Sequence, residues 1–186
     1  MNITLYGAAS ENIDRGYIEG VEALGRAMAK KGHTMVFGAG STGLMGAAAR
    51  GMHECGGRIV GITPHFMHTL EPVSPLCTEL IATETMAERK SLMEEKADAF
   101  IIVPGGVGTF DEFFQILTLR VLERHQKPII LYNIHDFWNH LLVFIKECVD
   151  QGFIAGQALD YFCVCDTPEQ ALAALERAGS AGGRSR

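Results

Sequence analysis

Two kinds of hydrophobic pattern alternate along the chain. Short apolar runs rich in β-branched residues are typical of buried strands, and longer stretches repeat apolar residues at helical spacing. The strands are predicted in NITLYG, HTMVFG, GRIVGIT, TELIAT, AFIIV, KPIILYN and YFCVCD. The helices are predicted over residues 12–31 and in TGLMGAAARGMHECGG, ETMAERKSLMEEKA, TFDEFFQILTLRVLER, FWNHLLVFIKECVDQG and PEQALAALERA.

This alternation predicts the fold class. Strands that alternate with helices form a parallel sheet, and apolar strands indicate that helices cover both faces. We therefore predict an α/β fold with a doubly wound parallel sheet and three α/β/α layers. No internal repeat or linker interrupts the pattern, so residues 1–178 are predicted to form a single domain. Residues 179–186, which read GSAGGRSR, are predicted to be a disordered tail.

Two loops at the carboxyl ends of the predicted strands are rich in glycine. In doubly wound sheets, ligands bind outside these strand ends, near a switch point in the strand order. This rule directs attention to the loops that follow Gly7, Phe37, Thr63, Val103 and Tyr132. The glycine-rich loops are those after Phe37 and Val103.

The loop after Phe37 reads FGAGSTGLMG, and its Gly38, Gly40 and Gly43 have GxGxxG spacing. Such spacing occurs in dinucleotide sites, where the backbone approaches a pyrophosphate at a helix N-terminus. A dinucleotide site also needs an acid at the end of the next strand, and no acid occurs here before Glu71. Half of a mononucleotide site and close strand–helix packing are the alternatives to NAD binding, with Gly40 and Gly43 as candidate ligand contacts.

The loop after Val103 reads PGGVGTFDE. Its Gly105, Gly106 and Gly108 leave the backbone free to turn several N–H groups toward one point, and Thr109 adds a hydroxyl. Thr109 is also the predicted N-cap of the following helix. The expected ligand is a phosphate held by backbone amides and the helix dipole. No Gly-Lys-Ser/Thr sequence follows, so a monophosphate suits the loop better than a nucleoside triphosphate.

Two acids follow this loop. Glu112 stands three residues after Thr109, so a capping box is one interpretation. The alternative is that Glu112 acts on a ribose or on water just beyond the phosphate, because an acid placed directly against an anion would repel it. Asp111 either favours the helix dipole or touches the ligand. Ser10, in the loop after the first strand, either contacts the ligand or caps a helix.

Composition narrows the partners and the compartment. The net charge of −6 argues against a nucleic-acid backbone as the partner, and the chain has no apolar run of about 18 residues that predicts a membrane span. The five cysteines form no CxxC pair and no secretory signal is visible, so reduced thiols in the cytoplasm are expected. The seven histidines show no HExxH pattern, so no metal site is expected.

Four segments occur in the order and spacing of one known family: GAGSTGLMG, ETMAERKSLM, ADAFIIVPGGVGTFDE and KPIILYN. Over residues 2–176 the chain resembles the Lonely Guy family of cytokinin-activating nucleotide hydrolases, historically misnamed lysine decarboxylases. The resemblance implies a Rossmann-like homodimer with its sites near the subunit interface. It also implies hydrolysis of a purine riboside 5′-monophosphate, of cytokinin type or of adenosine, to the free base and ribose 5-phosphate. No metal or redox cofactor is implied.

The resemblance carries the functional residues of the family onto this chain. The catalytic Arg and Glu correspond to Arg89 and Glu112. The substrate-binding positions correspond to Glu71, Arg89, Lys90, Gly105, Gly106, Val107, Gly108, Thr109, Phe110, Asp111 and Thr118. The chain departs from the family by Gly-Ala-Gly where three glycines are usual, and by Ala87, Val107 and Asp111 where a polar residue, Tyr and Glu are common. These departures bear on the preferred base.

Cleavage of an N-glycosidic bond places positive charge on the ribose ring. Glu112 is expected to stabilise that charge or to take a proton from water, and Arg89 to keep Glu112 ionised or to pair with the phosphate. A non-catalytic carrier of a nucleotide or of molybdenum cofactor is the alternative, although a binder needs no acid beside a phosphate. A pyridoxal-phosphate decarboxylase would need a lysine for a Schiff base, and no motif around Lys90 or Lys127 supports one.

Overall fold

Seven parallel strands form one sheet in the computed structural model, which describes residues 1–69 and 72–182. The inner strands are apolar because both faces of the sheet are covered there, whereas the edge strands β4 and β7 are partly exposed. Neighbouring strands pair in parallel throughout. The strands are β1 (Asn2–Tyr6), β2 (Thr34–Phe37), β3 (Arg58–Pro64), β4 (Glu79–Thr83), β5 (Ala99–Ile102), β6 (Ile129–Tyr132) and β7 (Cys163–Cys165).

α-Helices connect most successive strands, as the sequence pattern predicts, and the described part of the connection from β3 to β4 contains a 3-10 helix instead. Three 3-10 helices, His65–Thr69, Ile134–Asp136 and Gly156–Tyr161, lie in the loops. The α-helices of the described residues are α1 (Arg15–Lys30), α2 (Gly43–Glu54), α3 (Met86–Lys96), α4 (Val107–Val121), α5 (Asn139–Asp150) and α6 (Pro168–Gly182).

The strand order is β4-β3-β2-β1-β5-β6-β7. The chain therefore builds outward from β1 to β4 and then returns to place β5 on the other side of β1. The loops that leave β1 and β5 diverge at this reversal, which opens a crevice at the carboxyl ends of the two strands. The register Tyr6–Ile102 brings the end of β1 beside the start of the second glycine loop.

Alternate residues of β1 face two separate cores. Ile3 and Leu5 pack with α1, α2 and α6, whereas Tyr6 packs with α3, α4 and α5 on the opposite face. This arrangement gives three α/β/α layers and confirms the predicted fold class. It also places α3 and α4 side by side on one face, where their N-termini meet the crevice.

The ends of two helices differ from the prediction. α1 begins at Arg15 because the Asp14 carboxylate accepts a hydrogen bond from the Gly16 amide at 2.8 Å, which caps the helix. α6 continues to Gly182, beyond the predicted boundary at residue 178. Residues 179–182 of the predicted tail therefore belong to this helix, and residues 183–186 lie outside the described part of the chain.

Candidate active site

The second glycine loop leads directly into α4. The first intrahelical hydrogen bond runs from the Phe110 amide to the Gly106 carbonyl at 2.9 Å, and Gly106 is the N-cap without a side-chain cap bond. The amides of Val107, Gly108 and Thr109 therefore have no acceptor within the helix. Together with the helix dipole they form the kind of site that binds a phosphate.

Thr109 does not cap this helix. Helix α4 begins at Val107, so Thr109 is its third residue, and it is buried. The predicted N-cap role is wrong because the chain becomes helical within the glycine-rich loop rather than after it. A Cβ atom at Gly105 would lie 2.1 Å from the Thr109 Oγ1 atom, so Gly105 permits the close approach of the loop to Thr109.

Glu112 consequently lies in the second turn of α4, where no capping box can form. Its carboxylate faces α3 instead, with Oε1 at 3.6 Å from Nη1 of Arg89. Both side chains are nearly buried, with 13% of Glu112 and 11% of Arg89 exposed. The structure thus brings together the two residues that the family resemblance implies are catalytic.

The start of α3 holds Arg89 in place. The Thr85 hydroxyl caps the helix by accepting a hydrogen bond from the Glu88 amide at 3.1 Å, and the Glu88 carboxylate accepts one from the Glu84 amide at 2.9 Å. Arg89 follows in the first turn, and its Nε donates to the Ile62 carbonyl of β3 at 3.2 Å. The guanidinium is therefore anchored to the sheet by the protein itself.

A cavity of about 350 Å³ lies between these elements at the switch point. It contains predicted site residues from three parts of the sequence, and it adds the backbone of the β1–α1 loop and two methionines that the prediction missed. Its lining residues are Gly7, Ala8, Ala9, Ser10, Met45, Met67, Arg89, Gly106, Gly108, Thr109 and Glu112. The rule that ligands bind at carboxyl strand ends could have identified Ala8 and Ala9, but no local signal marks Met45 or Met67.

Gly40 and Gly43 of the first glycine loop are not among the lining residues. The amide of Leu44, in the first turn of α2, donates to the Ala8 carbonyl at 2.8 Å, and the Thr42 hydroxyl donates to the Ala9 carbonyl at 2.7 Å. The N-terminus of α2 is thus bound by the backbone of the protein itself. Close packing, here against the β1–α1 loop, is the role that the structure supports, rather than a dinucleotide or mononucleotide half-site.

Other predicted site residues are not among those that line this cavity. Lys90 forms an ion pair with Asp111, which links α3 to α4 beside the Arg89–Glu112 pair. Phe110 contacts Trp138 edge-on, and Val107 is 83% exposed. Gly105 borders a second, apolar cavity of about 210 Å³.

Thr118 lies on the exposed face of α4, six residues after Glu112 and about 240° around the helix from it. It lines a separate apolar groove with Phe114, Val121 and Phe153. Within one chain Thr118 therefore does not join the Glu112 cavity. Glu71 lies outside the described residues.

Burial sets the protonation of the central acid. Removal from water raises the pKa of Glu112 to about 7, and the opposing positive charges of Arg89 and Lys90 limit the rise, while Asp111 adds to it. Burial likewise raises the pKa of Tyr6, and the nearby Glu112 carboxylate reinforces that rise. A carboxyl group with a pKa near neutrality is suited to proton transfer, which is typical of active sites.

Neither lysine considered for a Schiff base lines the cavity. Lys90 pairs with Asp111, and Lys127 donates to the Glu94 carbonyl at 2.6 Å. Among the described residues, no group of three or more His, Cys, Asp or Glu side chains is arranged to hold a metal ion. Within the same residues, no helix combines the length and the apolar character needed to cross a membrane.

Comparison with known proteins decides the family. A family model described as "possible lysine decarboxylase" matches residues 45–175. Proteins from Mycobacterium tuberculosis and Rhodococcoides fascians, both named cytokinin riboside 5′-monophosphate phosphoribohydrolase, are each 37% identical to this chain. The first aligns over 92% of this chain and 91% of its own length, and the second over 94% and 88%. The chain belongs to the Lonely Guy family.

The Lonely Guy fold extends to more distant proteins. The molybdenum cofactor binding protein of Rippkaea orientalis is similar with a TM-score of 0.73 over 95% of each chain, at 21% sequence identity. At that identity the likeness concerns the fold alone. Evidence on the reaction comes from the Arg89–Glu112 pair and from the relatives above, and not from the likeness to the Rippkaea orientalis protein.

One departure from the usual Lonely Guy sequence has a visible consequence. Ala39 replaces the middle glycine of the first loop, and it adopts a φ of 65°, in the left-handed region that favours glycine. Its side chain is buried. The methyl group in this conformation costs about 1 kcal/mol of strain. A second departure, Asp111, supplies the partner of Lys90.

Proposed function

We propose that this protein hydrolyses the N-glycosidic bond of purine riboside 5′-monophosphates to the free base and ribose 5-phosphate. The proposal rests on one observation above all: the Arg89–Glu112 pair lines the same cavity as the amide-rich N-terminus of α4. The names of the two relatives at 37% identity agree with it. The phosphate of a substrate and the Glu112 carboxylate would repel each other in direct contact. Both can therefore belong to one site only when Glu112 contacts a different part of the substrate.

The phosphate would be bound by the amides of Val107, Gly108 and Thr109 and by the dipole of α4. Glu112 follows in the next turn of the same helix, so the distance between phosphate and carboxylate is fixed by helix geometry. A 5′-phosphate held at the N-terminus would thus direct the ribose toward Glu112. This arrangement predicts strong dependence on the phosphate.

Glu112 would act on the ribose carbon that bears the base. As the carbon–nitrogen bond breaks, the electron pair leaves with the base and positive charge develops on the ribose, which an ionised carboxylate stabilises. Water then adds to the carbon, and Glu112 accepts the proton that the water loses. The departing base nitrogen takes up one proton from solvent and Glu112 returns its proton to solvent, so that the net reaction consumes one water molecule. Arg89 would keep Glu112 oriented and favour its ionised form.

The base would lie against the apolar part of the cavity, which includes Ala8, Ala9, Met45 and Met67. Packing against such surfaces discriminates weakly between related bases, because one methylene group is worth only about 1–3 kcal/mol. We propose that both adenosine monophosphate and N6-substituted, cytokinin-type nucleotides are substrates.

The test is product analysis with a panel of nucleoside 5′-monophosphates, with the matching ribosides as controls. Release of free base and ribose 5-phosphate from monophosphates alone is the expected result. Equal rates with ribosides would contradict the phosphate role of the α4 N-terminus. Tight nucleotide binding without any release of base would favour the alternative, a nucleotide or molybdenum-cofactor carrier.

We also propose that the protein is a homodimer. The groove that contains Thr118 is bordered by exposed apolar side chains, with Phe153 at 80% and Val121 at 45% exposure. Monomeric proteins rarely expose large apolar patches of this kind. A second copy seated on this face would cover them and would place Thr118 in the interface between the two copies.

A reducing cytoplasmic location is proposed on the basis of the cysteines. All five are free thiols in the structure. Cytosolic proteins keep their thiols in this state.

A further inference from the structure

The first glycine of the GxGxxG-like motif lies directly beneath the guanidinium of Arg89. A Cβ atom at Gly38 would be 1.9 Å from Nη2, 3.0 Å from Cζ and 3.5 Å from Nε of Arg89. Non-bonded heavy atoms come into favourable contact at about 3.5–4.0 Å, so a side chain at 38 and the observed guanidinium exclude each other. The backbone of Gly38 is not in the left-handed region, so space, rather than conformation, demands glycine here.

The three nitrogens of Arg89 have three different neighbours. Nε donates to the Ile62 carbonyl at 3.2 Å, Nη1 lies 3.6 Å from the Glu112 carboxylate, and Nη2 lies over Gly38. Strands β2 and β3 pair with Phe37 opposite Gly61, so Gly38, which directly follows β2, lies beside Ile62 near the carboxyl end of β3. The guanidinium therefore lies over Gly38 and Ile62, and from this position it faces Glu112.

We propose that Gly38 is a positioning residue for Arg89 in the hydrolysis proposed above. Its missing side chain leaves the space in which the guanidinium can bond Ile62 and face Glu112 at the same time. The inference rests on the proposed function, because it concerns the group that serves Glu112. It also gives the first glycine motif a role that requires no dinucleotide. This agrees with the hydrogen bond that the Leu44 amide, at the N-terminus of α2, donates to the Ala8 carbonyl.

The main test is a double-mutant cycle with Gly38→Ala, Arg89→Ala and the combined variant. We expect Gly38→Ala to lower kcat by about 100-fold, the effect of misplacing a reacting group by about 1 Å, with KM for the monophosphate changed much less. In the Arg89→Ala background the same substitution should change kcat no further, because the displaced group is already absent.

The matched control is Gly20→Ala in α1. A Cβ atom at Gly20 would lie 1.9 Å from Cδ1 of Ile134, the same close approach as at Gly38, but against a side chain that does not line the cavity. We expect this variant to retain kcat within about twofold, whatever its effect on Tm. A comparable loss of kcat in Gly20→Ala would show that packing strain alone lowers the rate, and would overturn the proposal.

The dependence of kcat/KM on pH provides a further test, because a purely structural role of Gly38 would leave it unchanged. The groups that face Glu112 are Arg89 and Lys90 from α3, Asp111 from α4 and Tyr6 from β1. Displacing Arg89 removes the largest positive influence on the carboxyl group. The ionisation that limits kcat/KM on the acid side should therefore shift to higher pH in Gly38→Ala, and it should stay unchanged in Gly20→Ala.

The outcomes separate this inference from the function on which it rests. Normal kcat in Arg89→Ala would refute the proposed role of Arg89 itself. Loss of activity in Arg89→Ala with wild-type kcat in Gly38→Ala would refute only the positioning role, as would an equal effect of Gly38→Ala in both backgrounds. If Gly38→Ala does not fold, folding of the combined variant would support a clash with Arg89, and failure of both to fold would overturn the proposal.

Discussion

Glu112 faces Arg89 across the contact between α3 and α4, with 3.6 Å between the carboxylate and the guanidinium. Both side chains are nearly buried, so the charge of each depends on the other for stabilisation. In this surrounding the pKa of Glu112 is about 7, well above its ordinary value of 4.5. Burial and pairing with Arg89 therefore act on the pKa of Glu112 in opposite directions, and burial has the larger effect.

Replacing Glu112 by Gln should abolish most turnover. The amide keeps the shape of the side chain but can neither stabilise positive charge on the ribose nor accept a proton from water. Loss of general acid–base catalysis lowers rates by about 10²–10⁴-fold, and we expect kcat for a nucleoside monophosphate to fall by that amount. Glu94→Gln is the matched control, because Glu94 also has a pKa raised by burial but does not line the cavity. Comparable kcat values in the two variants would contradict the role of Glu112.

The same substitution should stabilise the fold at alkaline pH. In the unfolded chain Glu112 ionises above its ordinary pKa of 4.5, whereas in the folded protein it stays protonated up to about 7. Between these values the folded state binds more protons, so the contribution of Glu112 to the free energy of unfolding falls as pH rises. Above pH ~8 the wild-type protein should be less stable than Glu112→Gln by on the order of 2 kcal/mol.

Thermal unfolding as a function of pH measures this difference. For a chain of this size we expect Glu112→Gln to raise Tm by about 5 °C at pH ~8 and to leave it unchanged at pH ~4. A constant Tm difference across this pH range would show that Glu112 is not destabilised by burial. A gain in stability together with a loss of turnover is the usual relation for a residue retained for function.

The rate itself should depend on the ionisation of Glu112. If the carboxylate is the active form, kcat/KM should rise with pH and level off above the pKa of about 7. A 5′-phosphate ionises at about pH 6, so the substrate contributes a limb of its own. The pH profile of the residual activity of Glu112→Gln should retain the limb that comes from the substrate phosphate and lose the limb near pH ~7. Identical profiles in both proteins would assign the ionisation to another group.

Much of the fold follows from the sequence because its causes are local. The strands and helices are predicted from hydrophobic spacing, and the strand-end rule for doubly wound sheets directs attention to the loops that border the candidate site. The start of α4 was misplaced because several glycines in succession give no side-chain cap that would mark the N-terminus. Helix α4 therefore begins at Val107 with Gly106 as its N-cap, and Thr109 lies inside it.

The role of the first glycine loop was not predictable in the same way. Gly38 and Arg89 lie close together although they are far apart in sequence. No spacing rule connects a glycine at the end of β2 with a side chain of α3, the helix that follows β4. The motif resembles a dinucleotide fingerprint because both need close approach to the backbone. In this protein the approaching group is an arginine side chain rather than a pyrophosphate.

The exposed face of α4 allows a test of the homodimer. Val121 borders the Thr118 groove, whereas Val143 of α5 is similarly exposed, at 58%, but lies outside the groove. A buried, unpaired charge is strongly unfavourable, so Val121→Asp should convert a dimer into monomers, and Val143→Asp should not. Light scattering after gel filtration measures the mass of each variant. If Thr118 serves the site of the partner, Val121→Asp should also raise KM for the monophosphate. A monomeric wild type, or a dimer that survives Val121→Asp and dissociates with Val143→Asp, would place any interface elsewhere.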